Sequence, residues 1–214
     1  MPLVAKGLGD NWSQVRYASS LCARSFFLVI KNCENQSDYN HFNAALIPRM
    51  CLNRYYVAEG VRNYSIQTWR TVFGESGKQI VCTYADPIAE YYIAQSQADN
   101  HAVREAACHC ISEICNKVAI DDETKEPFRK HISSLLETLV DCFKDESWPV
   151  RDAACIACGS FVAAFPAESQ PKYAELCDIW IAHLSDNIFT VRQNSAAALA
   201  KVFRGAPQYR EDLM

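Results

Sequence analysis

Glycine and proline are scarce, at seven and eight of 214 residues. That argues against an all-β protein built on many tight turns. No stretch of about 18 uncharged apolar residues occurs, so no membrane span is expected. The opening Met1-Pro2-Leu3-Val4-Ala5-Lys6 lacks the apolar centre of a signal peptide. Positive charge is not in excess either. Lys and Arg total 21 against 25 Asp and Glu, a net charge of −4, which gives no support for a generic polyanion binder. Half the residues are hydrophobic, and this excludes disorder over most of the chain.

Cysteine is plentiful, with eleven residues. The odd count, without a secretion signal, points to reduced thiols in a cytoplasmic protein, with the nucleus as a further possible site. Three glycosylation triplets (Asn11-Trp12-Ser13, Asn35-Gln36-Ser37 and Asn63-Tyr64-Ser65) would serve only a secreted chain.

A repeat organises the sequence. Val-Arg recurs at Val15-Arg16, Val61-Arg62, Val103-Arg104, Val150-Arg151 and Val191-Arg192, at intervals of 46, 42, 47 and 41 residues. Four residues after each Val stands a small residue: Ser19, Ser65, Ala107, Ala154 and Ser195. Eleven after stand Phe26, Val72, Ile114, Phe161 and Val202, and twelve after Phe27, Phe73, Cys115, Val162 and Phe203. Asp10, Asp145 and Asp186 lie five residues before their Val and Asp99 four before, whereas the second copy has Tyr56 and Val57 there. Apolar or small residues at offsets 0, 4, 8, 11, 12 and 15 trace one face of an α-helix.

Each Val-Arg therefore opens the second helix, B, of a hairpin. The preceding Asp or Ser can cap it; Ser147 is a candidate cap, and Pro149 fits the first turn. The A helices show amphipathic stripes: Ile80, Tyr84, Ile88, Tyr91 and Tyr92, with a kink expected at Pro87; Phe128, Ile132, Leu135, Leu136, Leu139, Val140 and Phe143; and Tyr173, Leu176, Cys177, Trp180 and Leu184. Polar linkers are expected at 32–38, 121–125 and 167–171, and 205–214 reads as a linker into something further.

Asp-x₄-Val-Arg-x₂-Ala opening the second helix of a pair about 40 residues long resembles the HEAT repeat, best at Asp145–Ala154 and Asp99–Ala107. The form is similar to that in phosphatase-scaffold subunits and importin-β-type carriers. The resemblance implies an all-α, right-handed superhelix of about five hairpins in one solenoid, with approximate repeats 1–35 (partial), 36–74, 75–119, 120–166 and 167–206. It also implies a ladder of inter-repeat hydrogen bonds on Arg16, Arg62, Arg104, Arg151 and Arg192 with Asp10, Asp99, Asp145 and Asp186. The ladder is in question where repeat two lacks its Asp.

Phe26-Phe27-Leu28-Val29-Ile30 is apolar all round and needs cover on several faces. Solenoid ends need polar caps, and neither end reads as one. The chain is then either an excerpt of a longer solenoid or one capped by a partner.

Catalytic signatures fail one by one. Cys155-x-x-Cys158 and Cys108-His109-Cys110 look like metal ligands, but Cys108, Cys155, Cys22 and Cys110 occupy offsets that hold alanine in sister repeats, so packing explains them. Gly74-Glu75-Ser76-Gly77-Lys78 follows a helix and has Val72 and Gln79 where a phosphate loop needs Gly and Ser or Thr. No His is followed by Glu, so neither a zincin motif nor the iron-binding His-Glu dyads of HEAT-type hydroxylases are present. No catalytic, cofactor-binding or metal-binding residue can be assigned.

Function falls to the face of the B helices opposite the core. Offsets 2, 6, 9 and 13 give Tyr17, Leu21, Arg24 and Leu28; Asn63, Gln67 and Arg70; Glu105, His109, Ser112 and Asn116; Asp152 and Ile156; and Gln193 and Arg204. Tyr17, Leu21, Arg24, Leu28, Gln67, Arg70, His109 and Ile156 are the candidates for partner contact. Glu105 and Asp152 would repel phosphates, so nucleic acid, the partner of HEAT-like DNA glycosylases, is disfavoured. A protein-binding scaffold or adaptor is expected, with a karyopherin-like carrier segment as the alternative.

Overall fold

The computed structural model describes residues 2–30 and 36–205. Cys33, most of the first expected linker, and 206–214 lie outside the described residues. Among those described, the regular structure is all helical: α1 (Pro2–Leu8), α2 (Ser13–Ile30), α3 (Gln36–Asn53), α4 (Glu59–Val72), α5 (Gly77–Thr83), α6 (Ala85–Gln95), α7 (His101–Glu113), α8 (Asp122–Lys125), α9 (Ile132–Phe143), α10 (Trp148–Ala164), α11 (Pro166–Ser169), α12 (Tyr173–His183) and α13 (Phe189–Gly205). A wide turn, Ile114–Val118, extends α7. The helices form five stacked hairpins in two layers. The A layer holds α1, α3, α5–α6, α9 and α12, and the B layer α2, α4, α7, α10 and α13.

Local chemistry sets the boundaries. In the third hairpin the A helix breaks at Tyr84 (φ −108°, ψ 30°), three residues before Pro87, whose ring would clash with the carbonyl one turn back. Gly74 adopts φ +49° at the end of α4, a conformation costly for other residues; the glycine pair thus serves a helix-to-helix turn. Asn100 caps α7 by accepting the Ala102 amide (3.0 Å), and Asp145 and Asp186 accept the Ser147 and Ile188 amides (both 2.8 Å), closing the turns that lead into α10 and α13. Ser147 stands at the cap position but its hydroxyl makes no cap bond.

One core runs the length of the stack, with Phe128, Leu139, Phe143, Phe161 and Trp180 fully buried. Burying each such side chain contributes about 1.5–3 kcal/mol. Of the expected A-helix positions, Leu184 departs, being 41% exposed.

The stripe on each B helix has two edges. Offsets 0, 4, 7 and 11 face the preceding hairpin, and offsets 1, 5, 8 and 12 the following one. In α10 both are covered: Val150, Ala154, Ala157 and Phe161 on one, Cys155, Cys158 and Val162 on the other. In α2 the first edge has only the seven-residue α1 against it. Val15 and Cys22 are therefore exposed, and the buried set shifts by one to Arg16, Ser20, Ala23, Phe27 and Ile30. This corrects the expected burial of Val15 and the packing role of Cys22. Leu28 and Val29 remain exposed as well, so the apolar run is covered on one side only.

Candidate functional site: the B-helix face and an open seam

The Val-Arg arginines share one geometry. Arg16, Arg104, Arg151 and Arg192 each donate to the carbonyl six residues upstream, at 2.7–3.0 Å. Two also cross to the Asp of the next repeat. Arg104 grips both Asp145 oxygens at 2.7 and 2.9 Å, and Arg151 reaches Asp186 at 3.3 Å. These charge-assisted bonds outweigh the desolvation that opposes them and hold both carboxyls below the ordinary carboxylate range.

The other junctions differ. Arg16 is fully buried, donates to Asn53 Oδ1 at 2.6 Å and lies 4.0 Å over the Tyr56 ring; burial lowers its pKa. Asn53 and Tyr56 thus stand in for the missing Asp. Asp10 acts through its carbonyl and by capping Trp12. Arg62 bonds only the Val57 carbonyl, and among the described residues no ion pair joins it to Asp99, whose carbonyl serves Arg104 instead. The ladder is interrupted between α4 and α7.

The seams between B helices follow the same division. Offset 9 is where each helix meets its follower. Ser112 there bonds Ser160 (3.3 Å), and a Cβ on Gly159 would lie 3.2 Å from that of Ala198; small residues let α7, α10 and α13 close on one another. Ser112 is accordingly buried, not on the open face as expected. Arg24 also turns into its seam, 3.7 Å over the Tyr64 ring and 2.8 Å from Thr68 Oγ1. Arg70, the counterpart in α4, is exposed and has no hydrogen bond or ion pair among the described residues. Here α4 and α7 scarcely touch. Arg62, Ile66, Trp69 and Phe73, the edge of α4 that should be covered, are only half-buried.

The turn after α3 bridges the gap. Arg54 forks onto both oxygens of Glu113 and lies 4.6 Å from the Trp69 ring, while Tyr55 stacks on His109 at 5.7 Å. Burial opposes the Arg54 charge, but the carboxylate beside it raises its pKa; burial with Glu113 nearby raises that of Tyr55. The Arg54 Nε is buried without a partner. A cavity of about 300 Å³ opens among Arg54, Tyr55, Ile66, Trp69, Arg70, Glu113 and Lys117, and a second of about 170 Å³ adjoins it beneath Trp69.

The sequence candidates fall in distinct places. Tyr17, Leu21, Leu28, Gln67, Arg70 and Ile156 are exposed on the B face; Tyr17 meets Tyr64 edge-on at 5.5 Å. His109 is half-buried on Tyr55, and Arg24 is engaged internally. The sequence reading missed Arg54, Tyr55, Trp69, Glu113 and Lys117. The available signal was Arg70, bulky at an offset that holds Ser112 and Gly159 elsewhere.

Each described cysteine is a free thiol. Burial pushes Cys110 and Cys158 well above the ordinary range, which disfavours the thiolate form that binds metals. No group of three or more His, Cys, Asp or Glu side chains among the described residues is arranged to hold a metal ion.

Among curated proteins none matches the sequence. Similar solved structures include an engineered protein from a structural-genomics programme (14% identity, TM-score 0.53, 93% of this chain and 77% of that one) and a designed armadillo repeat protein in complex with the peptide (KR)4 (16%, 0.53, 92% and 80%). At these identities the likeness is one of fold. A family model described as "Stalled ribosome sensor GCN1-like, HEAT repeats" matches residues 69–207, and with the hairpins and Arg–Asp bonds above, the chain belongs to that HEAT-repeat family.

Proposed function

We propose that the protein is a non-catalytic scaffold or adaptor that binds partner proteins along the B-helix face, the concave side of the solenoid. The carrying observation is the set of side chains left open on that face, Tyr17, Leu21, Leu28, Gln67, Arg70 and Ile156. They mix aromatic, aliphatic and Arg groups, the types enriched at protein hot spots, on stacked helices that make a broad surface. The designed armadillo neighbour, which holds a peptide, supports this use of such a fold. The family's name, a stalled ribosome sensor, makes a large assembly a fitting class of partner. Nucleic acid alone fits less well, because Glu105 and Asp152 interrupt the face. We read 1–214 as one solenoid. Its first hairpin, with Leu3, Trp12 and Val29 uncovered, would seat a neighbouring repeat or a partner.

The test is isolation of a stoichiometric complex from lysate on the immobilised chain. Leu21→Asp with Ile156→Asp should abolish it, and Glu137→Ala on the A layer should leave it intact. A complex equally insensitive to both changes rejects the B face as the site; release by Ran-GTP would identify a karyopherin-like carrier instead.

A further inference from the structure

We propose that the open seam between α4 and α7 is a docking cleft for a short acidic segment of a partner protein. An aliphatic or aromatic side chain of that segment would enter the cavity between Tyr55 and Trp69, and its carboxylates would meet Arg70 and Lys117. The proposal rests on the scaffold reading and gives it a chemical class of partner.

Two observations carry it. The first is shape. At the neighbouring seams, offsets 5, 8 and 9 are sealed by the following helix, with Cys108, Ile111 and Ser112 buried on α7 and Cys155, Cys158 and Gly159 on α10. On α4 the same offsets hold Ile66, Trp69 and Arg70, and they line the cavity of about 300 Å³ instead. That volume is at the lower bound of typical ligand sites, and Tyr55, Ile66 and Trp69 give it an apolar side that one bulky side chain would fit, with the charged groups around it.

The second is charge. Arg54, Arg70 and Lys117 face one carboxylate, Glu113, around the cavity, so the cleft is locally positive in a chain of net charge −4. Lys117 is mostly exposed and lies 3.5 Å from Glu113. Arg70 is exposed with no ion pair among the described residues.

A basic cleft with aromatic walls also suits a nucleotide, but the positive patch is short. Glu113 sits within it, and Glu59 and Glu105 lie further along the same helices, which favours a compact segment over an extended phosphate chain that would run past them.

The experiment titrates the full chain with fluorescein-labelled hexapeptides: a Leu-Phe pair flanked by glutamates, the same pair flanked by lysines, and an all-glutamate control. A single-stranded oligonucleotide of similar charge is the fourth probe. The acidic Leu-Phe peptide should bind best. Arg70→Glu with Lys117→Glu, both surface changes checked by thermal melting, should weaken it by about tenfold or more, the effect of one to two charge-assisted bonds. Arg129→Glu, on the exposed A-layer side, should not. Tighter binding of the lysine peptide or the oligonucleotide overturns the proposal, as does no binding by any acidic probe or an unchanged affinity in the double variant. If the lysate complex survives Arg70→Glu with Lys117→Glu but is lost in the Leu21→Asp, Ile156→Asp variant, the seam proposal fails and the scaffold reading stands.

Discussion

Truncating Asp145 to alanine should destabilise the solenoid by about 3 kcal/mol, and the contacts of that carboxylate show how the loss divides. One oxygen accepts the Ser147 amide at 2.8 Å in the turn before α10, and losing such a hydrogen bond costs about 1 kcal/mol. Both oxygens take Arg104 at 2.7 and 2.9 Å, in a pair whose side chains are 14% and 11% exposed. Breaking it should cost about 2 kcal/mol. The full penalty of about 3–5 kcal/mol for orphaning a buried charge is not reached, because Arg104 keeps the Ala98 and Asp99 carbonyls. Asp145→Asn retains an acceptor for the Ser147 amide and should lose only about 1–2 kcal/mol. Asp99→Ala removes a carboxylate that makes no hydrogen bond or ion pair among the described residues and should stay within about 0.5 kcal/mol. Urea unfolding followed by far-UV circular dichroism, at unchanged m, gives the order. A pH series supplies the second reading. The folded pKa of Asp145 lies below its unfolded value of about 3.9, so its contribution is present above roughly pH 4 and is lost as pH falls through the folded value. The gap between wild type and Asp145→Asn should therefore close in acid. Equal costs for Asp99→Ala and Asp145→Ala would refute the assignment of the ladder.

Two further substitutions probe the packing. Val150→Asp buries an unpaired charge at a fully enclosed site and should cost about 4 kcal/mol or more, whereas Val15→Asp, at the same repeat position but 43% exposed, should shift the melt little; equal melting of Val150→Asp and wild type would show that the helix phase is wrong. Gly159→Val should force α10 from α13, since even a Cβ there lies 3.2 Å from Ala198, at a cost of about 1–3 kcal/mol in urea unfolding; no loss would mean that the two helices do not meet at that point.

The hairpins and their core stripes were legible because the 3.6-residue period marks the face each helix turns inward: Val61, Val103, Val150 and Val191 sit on it, each with a full preceding hairpin to cover it, and all are nearly or fully buried. Val15 was misread because its cover comes from a neighbouring hairpin, and the period within α2 carries no information about that. The same limit hid the exposure of Cys22. The binding of Arg24 to Tyr64 and Thr68 depends on residues 40 and 44 positions away, on the next B helix. Arg54 and Tyr55 were invisible for another reason. They follow the last turn of α3, outside any stripe, and matter only because α4 and α7 stand apart.

Why that one seam stays open follows from comparing its two sides with the seam before it. Arg24 and Arg70 occupy equivalent positions, yet one is absorbed and the other is not. Arg24 meets Tyr64 and Thr68 on the next helix, an aromatic face and a hydroxyl acceptor. The residues at those two offsets in α7 are Ala106 and Cys110, both buried, and neither offers a guanidinium a π face or an oxygen. Closing the seam would strand Arg70 against an apolar wall, and an uncompensated buried charge costs more than the apolar contact of Ile66 and Trp69 could return. The open state is thus the lower in free energy, and Arg54 reaching across to Glu113 is what holds the two hairpins in register. The shift of Asp99 to four residues before its Val, with no ion pair from Arg62 to it among the described residues, and the arginine at the seam act together: the first removes the bond that would draw the hairpins together, and the second sets the cost of doing so.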